Sequence, residues 1–593
     1  MNRNQLIFLT ISSILLTLYT HFFKPVPPNP APSVVTMHDE KKGALGNPSS
    51  IQGTKKYGIF EPFKMGTSEE IVIENEVIKV VLTSKGGGVK EVVLKNYKDH
   101  LAQPLSLLDS SSHQMGFQFI HNNIKMNTNE LFFQKTACSY GKGNSPTEVI
   151  FTLAISPTAY FRQIFTLPQK SYELQCQWEA VGMEPYWGQQ APTTFTWHED
   201  MKRFEEDIKA NQQKTTINYY LADNSFKSLK QDSNEQETEQ ITNGIKWVGL
   251  KQRFFTAAII ANTSFSNGMI ALSPTTDKDK EHIVKHAQLE LSIPTSEQEV
   301  DKGAFTFFFG PNYYPILKEV TSGFEENIPL GWAFIRSINE GLVMPVFTFL
   351  EGHFTNYGLI ILLLVLLIKL LLAPLSYRSF ISMAKMKALK PALNEIKKKY
   401  GKDIQKVQME QISLYKELGV NPISGCVPVL LQMPILLAMF NFFPNAIELR
   451  QASFLWAHDL STYDAIIKLP ITIPFYGSHM SLFTLLMALS TILYTWSTNQ
   501  TSSTEGPMRF FSYIMPIIFM FVLNSFPAAL CFYYFVSNVA TFAQQALIKN
   551  FIDEDKLQKK LLTHKKSNAR GNKNNKSQKK VQLTIQETNK KEK

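Results

Sequence analysis

Hydrophobic residues along this chain follow two different patterns. From about residue 57 to 320, short runs alternate apolar and polar residues and are separated by turn residues, as at 71–82 and 89–94. Many short alternating strands with polar turns are typical of an all-β sandwich. From about residue 346 to 548 the apolar residues instead form long runs, which are typical of membrane helices. The pattern therefore predicts an all-β domain followed by an α-helical polytopic membrane bundle.

Six membrane spans are predicted, of which the first is an uncleaved N-terminal anchor at residues 1–23, because no small-residue cleavage site follows its apolar run. The other five lie at 356–376, 423–443, 480–497, 508–525 and 527–548. A helix rises about 1.5 Å per residue, so about 20 apolar residues match a hydrocarbon core of about 30 Å. The remaining predicted parts are a proline-rich linker at 24–56, the β domain at 57–320, and an amphipathic helix at the outer membrane interface at 325–352. A membrane-adjacent loop is the alternative for 325–352.

The net charge of +10 is concentrated in two segments that flank the spans. Residues 378–418 carry ten lysines and arginines against four acidic residues, and residues 549–593 carry fourteen against five. Basic loops stay on the cytoplasmic side of a membrane. Both segments and both chain termini are therefore predicted to be cytoplasmic, which leaves residues 24–355 on the outer side. The tail at 549–593 has the low-complexity composition of a disordered segment.

The basic segment at 378–420 is predicted to be an amphipathic helical hairpin. Apolar residues at intervals of three or four share one helix face; they are Met383, Met386, Leu389, Leu393 and Ile396. Gly401 ends this helix and Asp403 caps the next one. The candidate binding residues are Met383, Met386, Lys385, Lys387 and Lys390. The hairpin either rests on anionic headgroups by charge alone or offers a mobile, methionine-containing surface to varied apolar clients.

Lys369 lies inside the apolar run of the second predicted span. A lysine at the centre of a membrane helix costs roughly 2.5–3.5 kcal/mol on insertion scales. One interpretation is that it extends to the nearby cytoplasmic headgroups; the other is that it faces a polar cavity. Further polar residues in the third and sixth spans favour the cavity, and the predicted groove residues are Lys369, Gln432, Tyr533, Tyr534 and Asn538.

Other chemistry is sparse in the sequence. Four histidines of the β domain are scattered without metal-ligand spacing, namely His113, His121, His198 and His282. No paired-carboxylate, nucleophile or nucleotide motif is present, so we expect no enzyme activity, no cofactor and no metal site. Four cysteines are too few for a disulfide framework, although one bond between Cys138 and Cys176 is an option.

Four sequence segments resemble the YidC family of membrane protein insertases. They are SMAKMKALKP at 382–391, NPISGCVPVLLQMP at 421–434, LWAHDL at 455–460 and YYFVSN at 533–538. They occur in the family's order across about 325–550, and the anchor and β domain are similar to the form found in bacteria with two membranes. In that family the second span carries a cation, often arginine, shortly before the SMAKM-like run, and the matching position here is Lys369. Lysine keeps the charge but lacks the planar fork that pairs bidentately with a carboxylate.

The resemblance implies a multi-pass protein of the bacterial inner membrane, with a five-helix insertase core and a periplasmic sandwich. It also implies an insertase and chaperone that acts on nascent or newly made membrane proteins, alone or with the Sec translocon. The basic tail would bind either the ribosome, by attraction to RNA phosphates, or anionic lipids. The family's β domain is similar to sugar-mutarotase sandwiches, but no catalytic residues of those enzymes match residues here.

Two other functional classes remain open from the residues alone. A small-solute transporter would also contain buried polar residues, although the spans show no inverted repeat and no paired broken helices. An envelope protein that binds or modifies carbohydrate would act through the β domain and use the spans as anchors. Deletion of about residues 57–310 separates these classes, because an insertase should keep its activity and a carbohydrate-acting protein should lose it.

Overall fold

The structure is a computed structural model. It describes residues 58–141, 145–187, 194–275, 281–294, 296–297, 302–401, 403–417, 427–474, 476–501 and 507–551, which belong to one compact unit. The predicted anchor at 1–23, the linker at 24–56 and the basic tail beyond residue 551 lie outside the described residues.

Most of the described chain before residue 312 is β-structure. Its strands are β1 Glu70–Glu74, β2 Ile78–Thr83, β3 Gly88–Lys98, β4 Pro104–Leu108, β5 His113–His121, β6 Ile124–Asn127, β7 Gln134–Ser139, β8 Thr147–Ser156, β9 Ala159–Leu167, β10 Glu173–Val181, β11 Thr194–Lys202, β12 Thr216–Leu221, β13 Phe226–Ser228, β14 Glu237–Ile241, β15 Ile245–Lys251, β16 Phe255–Phe265, β17 Gly268–Pro274, β18 Ile283–Ser292 and β19 Lys302–Pro311. Strands β1 to β4 pair in sequence order. A nine-stranded sheet has the order β13-β12-β15-β16-β19-β10-β9-β8-β7, and a six-stranded sheet has the order β14-β17-β18-β11-β5-β6.

Aromatic side chains fill the space between the two larger sheets. The rings of Phe117 and Phe161 lie 5.3 Å apart, and those of Phe195 and Phe305 lie 5.2 Å apart, each pair joining one sheet to the other. Strand β9 alternates fully and partly buried positions along its whole length, as a strand does when one of its faces lines a core. The prediction of a β-rich domain is confirmed.

The two cysteines for which a disulfide is an option do not form one. Cys138 lies on β7 and Cys176 on β10, with β8 and β9 between them in the sheet. Both thiols are free. The burial of Cys176 raises the pKa of its thiol, because the interior disfavours a thiolate.

The rest of the described chain is mainly helical. Its helices, with two short ones in the β domain, are α1 Glu184–Trp187, α2 Ile208–Lys214, α3 Tyr314–Val320, α4 Ala333–Ile338, α5 Met344–Glu351, α6 Tyr357–Ala388, α7 Lys390–Tyr400, α8 Ile404–Glu417, α9 Val427–Phe442, α10 Leu482–Thr501, α11 Pro507–Leu523 and α12 Ala528–Phe551. A π-helical turn, Asn339–Val343, joins α4 to α5. Two further strands, β20 Ala465–Ile473 and β21 Gly477–Ser481, form a hairpin before α10.

Two helical stretches of the described chain are long and apolar enough to cross a membrane, judged by length and composition alone. They are Ala333–Glu351, where an interfacial helix is predicted, and Tyr357–Met386, which contains the predicted second span. Leu482–Ser497 and Phe510–Leu523 are shorter apolar helices, at the positions of the predicted fourth and fifth spans. The helical C-terminal region is confirmed, whereas the number of six spans stays a prediction.

The helical hairpin predicted at 378–420 begins later than the apolar pattern suggests. Helix α6 runs for 32 residues without interruption, so Met383 and Met386 belong to its last turns. The hairpin itself consists of α7 and α8. The Oδ1 atom of Asp403 accepts a hydrogen bond from the backbone N–H of Lys406 at 3.0 Å, which is the predicted cap of the second helix.

The loop between α9 and α10 packs against the β domain. Arg253, which precedes β16, donates through Nε to the carbonyl oxygen of Pro444 at 3.2 Å and through Nη2 to that of Ser461 at 2.6 Å. Ile447 is part of the hydrophobic core of the β domain. The loop and the β domain therefore lie on the same side of the helical bundle.

Candidate functional site

Lys369 is held inside the helical bundle by groups from two other helices. Its ammonium group donates to the Oε1 atom of Gln432 on α9 at 3.2 Å and to the hydroxyl oxygen of Thr541 on α12 at 2.9 Å. These partners lie 63 and 172 residues away in the sequence. The structure thus brings together two of the predicted groove residues, Lys369 and Gln432, and adds Thr541.

The position of Lys369 follows from the two faces of α6. Residues at intervals of three and four pack inside the bundle, namely Ile361, Leu364, Val365 and Ile368. Their neighbours Leu370 and Leu371 are 71% and 60% exposed, as expected for side chains that face lipid. Lys369 is half-buried at the border of these faces, so its charge reaches polar partners and avoids the lipid-facing surface.

The polar contacts continue beyond the lysine. Gln432 donates through Nε2 to the hydroxyl oxygen of Ser537 at 3.2 Å. Ser537 and Thr541 are four residues apart on α12, so they share one helix face. The Thr541 hydroxyl donates to the backbone carbonyl of Ser537 at 2.7 Å, which orients its oxygen to accept from the ammonium. A line of hydrogen bonds therefore connects α6, α9 and α12.

The electrostatics of this site favour an anionic ligand. An ammonium group has three N–H donors, and two of them contact neutral oxygen atoms. No carboxylate of the described residues pairs with Lys369. A half-buried charge with only neutral partners is incompletely compensated, so a carboxylate entering the site would gain an ion pair with Lys369.

The other three predicted groove residues have different surroundings. Asn538 donates through Nδ2 to the hydroxyl oxygens of Ser490 and Thr491 on α10, both at 2.9 Å. Tyr533 is buried, and its ring lies 5.6 Å from that of Phe443. Tyr534 is partly buried against the same apolar core. Neither hydrogen bond of Lys369 reaches these residues. Asn538 instead connects α12 to α10.

The hairpin residues also divide into two groups. Met386 packs with Leu389, Leu393, Leu414 and Tyr415 in a small core between the helices. Met383 and Lys385 are half-buried near the end of α6. The side chains of Lys387 and Lys390 lie outside the described residues. The methionine nearest the hairpin therefore contributes to its packing, whereas Met383 lies one turn earlier.

Two groups of interacting residues are missing from the sequence-based prediction. The first is Thr541. It was not predicted because a hydroxyl in a membrane helix commonly donates to the backbone of its own helix. Its spacing of four residues from Ser537 is the sequence feature that could have indicated it. The other is a set of buried charges beside the loop between α9 and α10. There Arg450 contacts Glu205, and Arg253 contacts the backbone.

The similarity to known proteins covers both parts of the chain. Residues 349–556 match the family described as 60Kd inner membrane protein, and residues 70–343 match the YidC periplasmic domain. The membrane protein insertase YidC of Amoebophilus asiaticus is 52% identical over 575 residues, which is 96% of each chain. That of Cytophaga hutchinsonii is 40% identical over 591 residues, covering 96% of this chain and 94% of the relative. A crystal structure of an active YidC insertase with its first transmembrane domain resolved is 19% identical, covers 82% of this chain and 94% of that chain, and has a TM-score of 0.32.

Proposed function

We propose a role for the polar site around Lys369 on the basis that this chain belongs to the YidC family of membrane protein insertases. During insertion, this site receives the hydrophilic flank of a client. The family consists of integral inner-membrane proteins with a periplasmic domain, and it acts on newly made membrane proteins. The observation that carries the proposal is the half-buried ammonium group of Lys369, held by Gln432 and Thr541 and without a described acidic partner.

The physical task is to move a polar flank through an apolar barrier. A client helix enters lipid only after its short flank has crossed, and a charged flank faces a solvation barrier of many kcal/mol in hydrocarbon. A groove open to the cytoplasm and sideways to lipid shortens the apolar path. Lys369 attracts acidic flanks, while Gln432, Ser537 and Thr541 replace part of their hydration.

The energy for insertion comes from the client itself. Burial of apolar surface contributes about 25 cal/mol per Å², and the membrane potential contributes about 2.3 kcal/mol per charge at 100 mV. The client segment slides along α6 and α9 and partitions into the bilayer. No covalent bond forms, so the proposed activity is not enzymatic and uses no cofactor.

The proposed topology has six spans with both chain termini in the cytoplasm and residues 24–355 in the periplasm. The basic hairpin and tail support it, since both belong on the cytoplasmic side by the positive-inside rule. The contact of Arg253 with the loop between α9 and α10 is consistent with it. Proposed partners are the Sec translocon, anionic lipids, and the ribosome through the basic tail.

Insertion of a short, acidic-tailed, single-span client into proteoliposomes tests the role of Lys369. We expect Lys369→Ala and Lys369→Glu to abolish insertion, because they remove or reverse the charge, and Lys369→Arg to preserve it. Lys318→Ala, which removes an exposed lysine of α3, is the matched control. Equal insertion by all variants would show that Lys369 only extends to the headgroups, and solute flux without client insertion would favour a transporter.

A further inference from the structure

The β20–β21 hairpin carries apolar side chains that stay exposed among the residues that the structure describes. Strand β20 has the sequence AIIKLPITI, in which every residue except Lys468 and Thr472 is apolar. Ile466, Ile467 and Ile471 are 41%, 48% and 66% exposed. An isolated two-stranded hairpin is marginally stable in water, and a concentration of exposed isoleucines on one such strand marks an interaction surface.

The hairpin is fixed to the helical bundle at its turn, along β21 and at its base. Asn524, which follows α11, donates through Nδ2 to the carbonyl oxygens of Tyr476 and His479 at 2.8 and 2.7 Å. The side chain of Asp464 accepts from the hydroxyl group of Ser481 and from the backbone N–H of Phe483, the latter at 3.0 Å. The exposed strand is therefore held in place relative to α10 and α11.

The hairpin directly adjoins the predicted fourth span. Strand β21 ends at Ser481 and α10 begins at Leu482, so no linker separates the hairpin from a predicted span. The preceding loop contacts the β domain through Arg253, which places the hairpin on the periplasmic side. Tyr463 stacks on His479 with ring centroids 3.7 Å apart, and tyrosines are enriched at membrane interfaces.

We propose that the β20–β21 hairpin lies in the headgroup region of the outer leaflet, with its isoleucines against the acyl chains and Lys468 at the lipid phosphates. Lys468 is exposed, and no acidic residue lies between positions 465 and 481, so the charge of the hairpin complements phosphate. The free edge of β20 also needs water or headgroups for its backbone, which excludes the hydrocarbon centre. This placement is independent of the proposed client site. It depends only on the loop between α9 and α10 lying on the periplasmic side of the membrane.

Addition of a client strand to the same edge is the competing use of this surface. Such pairing needs a row of free backbone N–H groups. Pro470 lies within β20 and has no N–H, and Lys468 is beside it. Proline and lysine are the residues that protect exposed strand edges from pairing. The chemistry of β20 therefore favours lipid over a peptide.

A fluorescent label at position 471 tests the proposal in the full-length protein. The label is NBD on Ile471→Cys in a Cys138→Ser, Cys426→Ser background, reconstituted in vesicles of phosphatidylethanolamine and phosphatidylglycerol. We expect lipid spin-labelled near the headgroup to quench it about twofold more than aqueous iodide does. The control label at Lys125→Cys, an exposed position of β6, should show the opposite order.

Iodide quenching of position 471 as strong as that of the control would overturn the proposal. Shielding that appears only with added client, or that increases with protein density, would also overturn it, in favour of a client strand or a second copy. A second label at Ile466→Cys keeps the test independent of one substitution. Insertion of the acidic-tailed client by both labelled proteins shows that they are folded, whichever way the quenching falls.

Discussion

Arg450 and Glu205 form a buried ion pair between parts of the chain that are 245 residues apart. The Nε atom of Arg450 donates to both carboxylate oxygens of Glu205, at 2.9 and 3.0 Å. Only 3% and 9% of the two side chains is exposed. The pair joins the loop between α9 and α10 to the β domain, next to the contacts of Arg253, so it fixes the β domain to the helical bundle.

Removal of one member of this pair should be more damaging than removal of both. Arg450→Leu or Glu205→Leu leaves a buried charge without its partner, which costs about 3–5 kcal/mol of unfolding free energy. The double substitution should cost less than either single one. Chemical denaturation of the full chain in detergent measures all three values. The exposed pair Lys170 and Glu76 is the control, and additive effects at Arg450 and Glu205 would contradict a direct pair.

Deletion of the β domain should preserve insertion, with a higher yield of folded protein when the exposed junction is repaired. Loss of residues 57–310 removes the core around Ile447 and the carboxylate that pairs with Arg450. We expect the deletion alone to lower the yield of folded protein, and the deletion with Ile447→Ser and Arg450→Ser to restore it with insertion intact. If the repaired protein folds but does not insert clients, the β domain itself takes part in the activity.

Two substitutions of Thr541 should separate the contribution of its hydroxyl group from that of its side-chain shape. Thr541→Val removes an acceptor of the Lys369 ammonium at nearly constant volume, and we expect a loss of about 1–3 kcal/mol in unfolding free energy together with weaker client insertion. Thr541→Ser keeps the hydroxyl and should retain most of both. Wild-type insertion by the valine variant would show that this hydrogen bond has no role in activity.

Substitution of Asn538 should mainly affect stability, whereas substitution of Gln432 should mainly affect client insertion. Asn538 donates its hydrogen bonds to two hydroxyls of α10, so Asn538→Ala should lower the unfolding free energy by about 1 kcal/mol and leave insertion near normal. Gln432→Ala removes an acceptor of Lys369 and the link to Ser537, so it should reduce insertion of acidic-tailed clients. A client with a neutral tail is the control substrate. The reverse pattern would assign the groove to Asn538.

The stability of the junction should depend on pH through Glu448. Burial raises the pKa of this carboxyl group from 4.5 to about 7, and Glu351 adds repulsion. Since the folded state binds this proton more tightly than the unfolded state, the stabilisation is complete below about pH 4.5 and is lost as the pH rises through 7. Glu448→Gln should flatten the change in unfolding free energy between pH 5 and 8 relative to wild type. Glu235→Gln, at an exposed position of the β domain, is the control. If Glu448→Gln leaves the pH dependence of the unfolding free energy unchanged, Glu448 is not the group responsible for it.

Local patterns in the sequence were sufficient to predict the β-rich domain, the helical C-terminal region, and Lys369 as an unusual charge in an apolar helix. The alternation of β9 and the long apolar run of α6 reflect the periodicity of side chains along a strand and a helix. Residues close together in the sequence determine this periodicity. The boundary of α6 was not predictable in this way, because the apolar spacing around Met383 and Met386 is the same in one long helix and in a new hairpin helix.

The sequence by itself determined which residues are polar in apolar surroundings, and the tertiary structure decided which of them meet. Lys369 contacts Gln432 and Thr541, whereas Asn538, only three residues before Thr541, contacts α10. Ser537 and Asn538 are adjacent on α12 and point about 100° apart. The rotation and packing of α12 therefore direct Ser537 to Gln432 and Asn538 to α10. Arg450 and Glu205 show the same dependence, because a pair separated by 245 residues exists only when the β domain and the bundle pack together.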